Sequence, residues 1–159
     1  MQALSEGEAA ERLLAHAEFT ETAEDGVLTY ALYDCYAAVT GFAANFFHGG
    51  RLVSLQIPAA YGDLPVRVIG AGAFDASHGI LLKSVTFPEG LWHIETQAFL
   101  DQHYLNTAAL PDSILYIGEM AFLCRDSRET HAPVLTLGST VFIPTGEEFV
   151  NEKRFDASR

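Results

Sequence analysis

The residues with the most chemistry to offer are six histidines, two cysteines and a glycine-bearing stretch, VRVIGAGAFDASHG, over residues 66–79. The stretch looks like the first turn of a dinucleotide-binding fold: a β-branched strand, then Gly70 and Gly72 in the spacing G-x-G. That fingerprint needs a third glycine for close helix–strand packing, and a pyrophosphate then rests on the helix N-terminus. Asp75 occupies the third position, where its charge would oppose the pyrophosphate. Glu89 lies where a ribose-binding acid belongs, after the strand-like LLKSVTF. The intervening segment excludes the reading. A βαβ crossover needs ~10–12 residues, mostly helical, and only Asp75 to Ile80 are available. No nicotinamide or flavin cofactor is expected.

His78 and His103 each follow a phenylalanine, Phe74 and Phe99, by four residues, with Asp75 and Asp101 close by. Imidazole plus carboxylate is a set that binds transition metals, and such a loop edge would support a metal-dependent hydrolase. No third ligand follows at a fixed spacing. The favoured reading is two exposed loop histidines with no metal. His93, beside Trp92, is expected on an outer wall, and His48 and His131 in loops. Cys35 and Cys124 lie too far apart in sequence for a CxxC and leave the redox compartment open. There is no G-x-S-x-G, P-loop or H-E-x-x-H, and Ser54 and Ser84 fall at regular strand positions. The chain is therefore not expected to be an enzyme, and no catalytic residue is assigned.

What positions these residues is a repeat. The hexad IGAGAF (69–74) returns as IETQAF (94–99) and IGEMAF (117–122). Isoleucine, alanine and phenylalanine persist, whereas Gly70 becomes Glu95 and Gly72 becomes Gln97 and Met120. A phosphate-cradling glycine would not vary so; a surface-turn position would. Before each hexad stands a frame L-x-x-φ-x-φ-P, φ being apolar: LVSLQIP (52–58), LKSVTFP (82–88) and LNTAALP (105–111). A worn fourth copy, PVLTLGSTVFIP (133–144), keeps Leu135 and Leu137 but has Gly138 in place of the proline. A short strand at a period of 20–29 residues is the mark of a leucine-rich-repeat solenoid.

The combined pattern LxxφxφPxxφxxIGxxAF resembles the BspA-like family of leucine-rich repeats over about 60% of the chain. The usual cysteine three residues after Ala-Phe is absent, although Cys124 lies two after Phe122. The resemblance implies a mostly β, right-handed solenoid of short parallel strands, and a binding or adhesion role at a bacterial cell surface or in secretion.

Strand alternation sends Leu55, Ile57, Val85, Phe87, Ala108, Leu110, Leu135 and Leu137 inward. The proline ends each ladder, having no N–H to donate. Ile69, Ile94 and Ile117 then line the opposite wall, and Phe74, Phe99 and Phe122 should stack as a column. Residues 52–144 form the repeats, 1–51 an N-terminal cap and 145–159 a tail. In the cap, Ser5 and Glu8 make a capping box. Ala10, Leu13, Leu14 and Ala17 share one face of a helix that either docks on the domain or stays loose. VLTYALY (27–33) and YAAVTGF (36–42) read as a hairpin turning at Asp34–Cys35 and covering the first repeat.

The outward strand positions give the candidate binding face: Ser54, Gln56, Ser84, Thr86, Thr107, Ala109 and Thr136, with Val134 beside them. Solenoids bind partners on such extended faces. An aromatic set, Phe46, Phe47, Tyr61, Trp92 and Tyr104, would mark a second patch wherever its members stay exposed together. The expected partner is another protein or a surface glycan; a structural spacer within a larger surface protein is the alternative. Net charge is −12, with seven acids and one base in residues 1–25. That balance repels phosphate backbones, so nucleic acid is not an expected partner. No basic n-region opens the chain and no apolar run is long enough to span a membrane. As written the chain reads as cytoplasmic; as a fragment of a longer family member it would be at the surface or secreted.

Overall fold

The computed structural model describes residues 6–46, 49–125, 130–144 and 148–149. A single helix, α1 (Glu6–His16), leads into three strands, β1 (Phe19–Glu24), β2 (Leu28–Tyr33) and β3 (Ala37–Phe42). The solenoid follows with β4 (Val53–Gln56), β5 (Ala60–Tyr61), β6 (Leu64–Ile69), β7 (Leu82–Thr86), β8 (His93–Ile94), β9 (Thr107–Ala109) and β10 (Tyr116–Ile117). It closes with β11 (Cys124–Arg125), β12 (Thr130–His131), β13 (Val134–Leu137), β14 (Thr140–Phe142) and β15 (Glu148–Phe149). His131, expected in a loop, thus lies in a strand.

The result is a β-solenoid of about three turns. Its isoleucine wall is one sheet ordered β1-β2-β3-β6-β8-β10-β15. β3, β6, β8 and β10 run parallel, with Val39, Ile69, Ile94 and Ile117 in one register row. The opposite wall holds β4 with β7, and β9 with β13 and β14. β7 and β9 are neighbours without a ladder between them.

Between the walls lies one apolar core. Leu55, Ile57, Val85, Phe87, Ala108, Leu110 and Leu135 are buried as the alternation predicts, and Leu137 is partly buried against them. The phenylalanines form the expected column: Phe74 and Phe99 stack at 5.4 Å, Phe99 and Phe122 at 5.1 Å. Phe42 extends it edge-on, 5.0 Å from Phe74.

Three departures have local causes. Leu52 is 40% exposed whereas Leu82 and Leu105 are buried. A bulge between Val53 and Ser54 pairs Val53, not Leu52, with Leu82. The five extra residues before the first hexad form a hairpin: β5 pairs back onto Leu64 and Pro65 around Gly62, which holds φ +58°. In the worn fourth copy Gly138, at φ +60°, reverses the chain, so β14 returns antiparallel along β13 and ends that wall.

The β2–β3 hairpin covers the first repeat as expected, and β1 adds a further antiparallel strand outside it. Asp25 locks the β1–β2 turn. Its carboxylate accepts from the Leu28 N–H at 2.8 Å, the Val27 N–H at 2.9 Å and the Tyr30 hydroxyl at 2.6 Å. The helix docks: Leu14 and Ala17 pack on a small cluster of Tyr36, Ala38 and Val68 on the outer side of the isoleucine wall. Ser5, Phe47 and His48 lie outside the described residues.

Candidate functional site

The candidate face is the outer side of the second wall. Ser54, Gln56, Ser84, Thr86, Thr107 and Ala109 are exposed; Val134 and Thr136 are half-buried. Ser54 sits opposite Ser84 and Gln56 opposite Thr86 on β4 and β7. Thr107 sits opposite Val134 and Ala109 opposite Thr136 on β9 and β13. The residues therefore occupy adjacent strands of one wall, in two paired halves.

The sequence did not extend this face to β14. Val141 pairs with Thr136, so the two share a side of the sheet, and Ile143 follows two residues later. They are the most exposed large apolar side chains among the described residues, at 64% and 57%. The hydroxyl ladder thus ends in an apolar strip. No strand of this wall contains an aspartate or glutamate, and Lys83 is its one charged residue. On a chain of net charge −12, the face is distinct by its lack of carboxylates.

The other candidate residues do not assemble. Asp101 is held by Arg125, whose Nη2 donates to its carboxylate at 2.7 Å and whose backbone N–H donates at 2.8 Å. The Arg125 guanidinium holds the Asp101 carboxyl below the usual carboxylate range. Asp75 accepts from the Ser77 N–H at 2.9 Å, capping a short 3₁₀ turn, and His78 Nε2 lies 3.0 Å from the Gly72 carbonyl oxygen. Among the described residues no three His, Cys, Asp or Glu side chains converge as a metal ion would require. His93 faces outward on the isoleucine wall, 3.5 Å from Glu95 and edge-tilted on Tyr116. The aromatic set is dispersed too. Phe46 stacks on Phe42, Tyr61 packs on Tyr30, and Trp92 lies under the Arg67 guanidinium at 4.3 Å. Tyr104 is 54% exposed, apart from these pairs.

One residue that sequence reading passed over ties two turns together. Gln102 is buried, and it stands three residues after Phe99, where the repeat usually has cysteine. Its Oε1 accepts from the Leu82 N–H at 2.8 Å, and its Nε2 donates to the Phe74 and Ile80 carbonyls at 2.7 and 3.0 Å. The Leu82 donor fixes which end of the amide is oxygen.

A family model described as a BspA-type leucine-rich repeat region of six copies matches residues 40–150. The chain belongs to the BspA-type leucine-rich repeat family. This repeat protein is also similar to a leucine-rich repeat protein from Bacteroides capillosus solved by crystallography. The match has 28% identity and a TM-score of 0.56, covering 65% of this chain and 75% of that one. No curated protein matches the chain. Among the described residues no helix is long and apolar enough to cross a membrane.

Proposed function

We propose that this repeat protein is a non-enzymatic interaction module that binds another protein through the outer face of its second wall, at a cell surface. The observation that carries the reading is the face itself: uncharged hydroxyl, amide and methyl groups over β4, β7 and β9, with Lys83 the one charge on these strands, passing into exposed Val141 and Ile143. An uncharged centre of this kind desolvates at little cost, and interface cores are depleted in charge. The carboxylates elsewhere on the chain favour partners of opposite or no charge. Repeats of this family are commonly interaction-related, which is in keeping with this reading.

The test is an array of proteins and glycans probed with the intact chain, followed by Thr86→Glu and Val141→Lys variants. Both positions are exposed, so each variant should fold normally and lose most of the binding. Failure to find any protein ligand, or binding that survives both substitutions, overturns the proposal. Ligands confined to the glycan set would replace protein by carbohydrate as the partner.

A further inference from the structure

Along the solenoid, backbone groups are met from one turn to the next. Gly72, Phe74 and Ala76 donate to the carbonyls of Thr96, Ala98 and Leu100 at 3.0, 2.7 and 2.9 Å. Gln97, Phe99 and Asp101 donate to those of Glu119, Ala121 and Leu123 at 3.2, 2.7 and 2.8 Å. In the isoleucine wall this continuity stops at β1, the first strand of the sheet.

The register of β1 decides which of its groups are left over. Antiparallel pairs alternate between those that exchange hydrogen bonds and those that do not. The Asp25 N–H donates to the Leu28 carbonyl at 3.1 Å, so that pair is a bonded one. Ala23 with Tyr30 and Glu21 with Leu32 are then bonded too, whereas Thr22 with Ala31 and Glu24 with Thr29 are not. The other side of β2 agrees: the Tyr33 N–H donates to the Tyr36 carbonyl, which assigns Tyr33 and Ala31 to β3. Thr22 and Glu24 therefore turn both N–H and C=O away from β2, two residues apart. Among the described residues nothing pairs with these groups, and every side chain of β1 except Ala23 is exposed. A bulge blunts the strand between Phe19 and Glu21, but from Glu21 to Glu24 it is regular.

The surroundings of this edge have a definite chemistry. Thr22 and Glu24 share a side of the sheet with Thr29 and Ala31. The helix covers the end of that side near Tyr36 and Ala38. Beyond it Thr22, Glu24, Thr29 and Thr40 line an open depression of about 420 Å³, with the Thr29 and Thr40 hydroxyls 2.8 Å apart. On the other side Glu21 is exposed at the rim of the core. Glu18 and Asp25 stand at the two ends of the strand. Two copies joined along this edge would line one ribbon with carboxylates from both, which disfavours self-pairing.

We propose that the edge of β1 binds an extended, lysine-bearing segment of another polypeptide, which adds to the sheet as a further strand. The segment's backbone pairs with the N–H and C=O groups of Thr22 and Glu24. One lysine reaches Glu24 over the threonine floor, and a second, on the opposite side of the added strand, reaches Glu21. Backbone pairing supplies the affinity and the flanking charges select the sequence. The seven acids and one base of residues 1–25 draw a basic segment in and repel an acidic one. The edge shares no residue with the second wall, so this proposal and the sheet-face reading can fail separately.

The test uses the full chain, isotope-labelled for amide NMR at low salt, titrated with the end-capped peptide TKVTKT and with its acidic counterpart TEVTET. The expected result is movement and slowed exchange of the Thr22 and Glu24 amides with the first peptide and not with the second. Thr22→Pro removes an outward N–H that no ladder bond uses, a change that edge strands accept, and should abolish the response at Glu24. Glu21→Lys combined with Glu24→Lys keeps the backbone edge and should weaken TKVTKT by about tenfold. Unmoved Phe74 and Phe99 amides show an intact fold in each variant. The proposal is overturned if neither peptide moves the two amides, if both peptides move them alike, or if the free chain already protects them as well as the Ala23 amide. A response that survives Thr22→Pro reports charge attraction without strand addition and overturns it too, as does a doubly charge-reversed variant that binds TKVTKT as well as the parent.

Discussion

Replacing Gln102 by leucine keeps the side-chain volume and removes all three hydrogen bonds at once. The Leu82 N–H and the Phe74 and Ile80 carbonyls then lose the partners they have at 2.7–3.0 Å. A buried backbone group left without a partner costs about 1–3 kcal/mol. The Leu82 donor bears the full penalty, since its residue is 0% exposed. Ile80 is half-buried next to an exposed loop, so water can reach its carbonyl. One full penalty and one or two partial ones come to about 3 kcal/mol, offset in part by the added apolar surface. Domains of this size are stable by about 5–15 kcal/mol, so the loss is a large fraction. Urea unfolding measures it, and the midpoint should fall while the slope stays constant. A Gln102→Leu variant within about 0.5 kcal/mol of the parent would refute the idea that this amide joins the turns.

Three further perturbations read other links. Phe99→Ala, at the centre of the ring column, should lose about 3–5 kcal/mol in the same assay, more than any exposed substitution on the sheet face. At Gly118 a Cβ would overlap the Thr96 nitrogen and lie 2.7 Å from the Glu95 carbonyl carbon, whereas at Gly72 it would meet nothing within 4 Å. Gly118→Ala should therefore cost about 1–3 kcal/mol from overpacking, and Gly72→Ala only about 1 kcal/mol from its left-handed backbone. Equal losses would contradict that contrast. Burial alone would raise the Asp25 carboxyl, but the Leu28, Tyr30 and Val27 donors outweigh it and hold the group below its ordinary value. A depressed folded value gives stability that is complete above the unfolded pKa of about 3.9 and lost as pH falls through the folded one. Asp25→Asn should flatten the stability profile below about pH 4 and leave the slope above it unchanged, as urea midpoints across that range would show.

The repeat was legible because each of its positions faces one packing demand. Ile69, Ile94 and Ile117 must fill the same row, and Phe74, Phe99 and Phe122 the same column, so the residue types recur. Single occurrences left no such trace. Gln102 appears once, and its role depends on loops that come together only in the fold. The shift of Leu52 arises from a bulge, which changes register without changing composition. β1 escaped notice because, as an outer strand, it is exposed at nearly every position and shows no alternation. The outward face was readable from parity alone, and its extension to Val141 and Ile143 was hidden because Gly138 reverses the chain where the repeat would continue.

The loop-to-loop contacts run through backbone N–H and carbonyl groups, and the fourth hexad position is left-handed whether it holds Gly72, Gln97 or Met120. The third position is exposed in every loop, at Ala71, Thr96 and Glu119. Its side chain thus enters neither the core nor the ladder. These three sites rise one above another, one turn apart, as a vertical file of freely exchangeable letters on a fixed page. A combinatorial library confined to them would vary recognition while sparing the fold, and drift over generations can do the same.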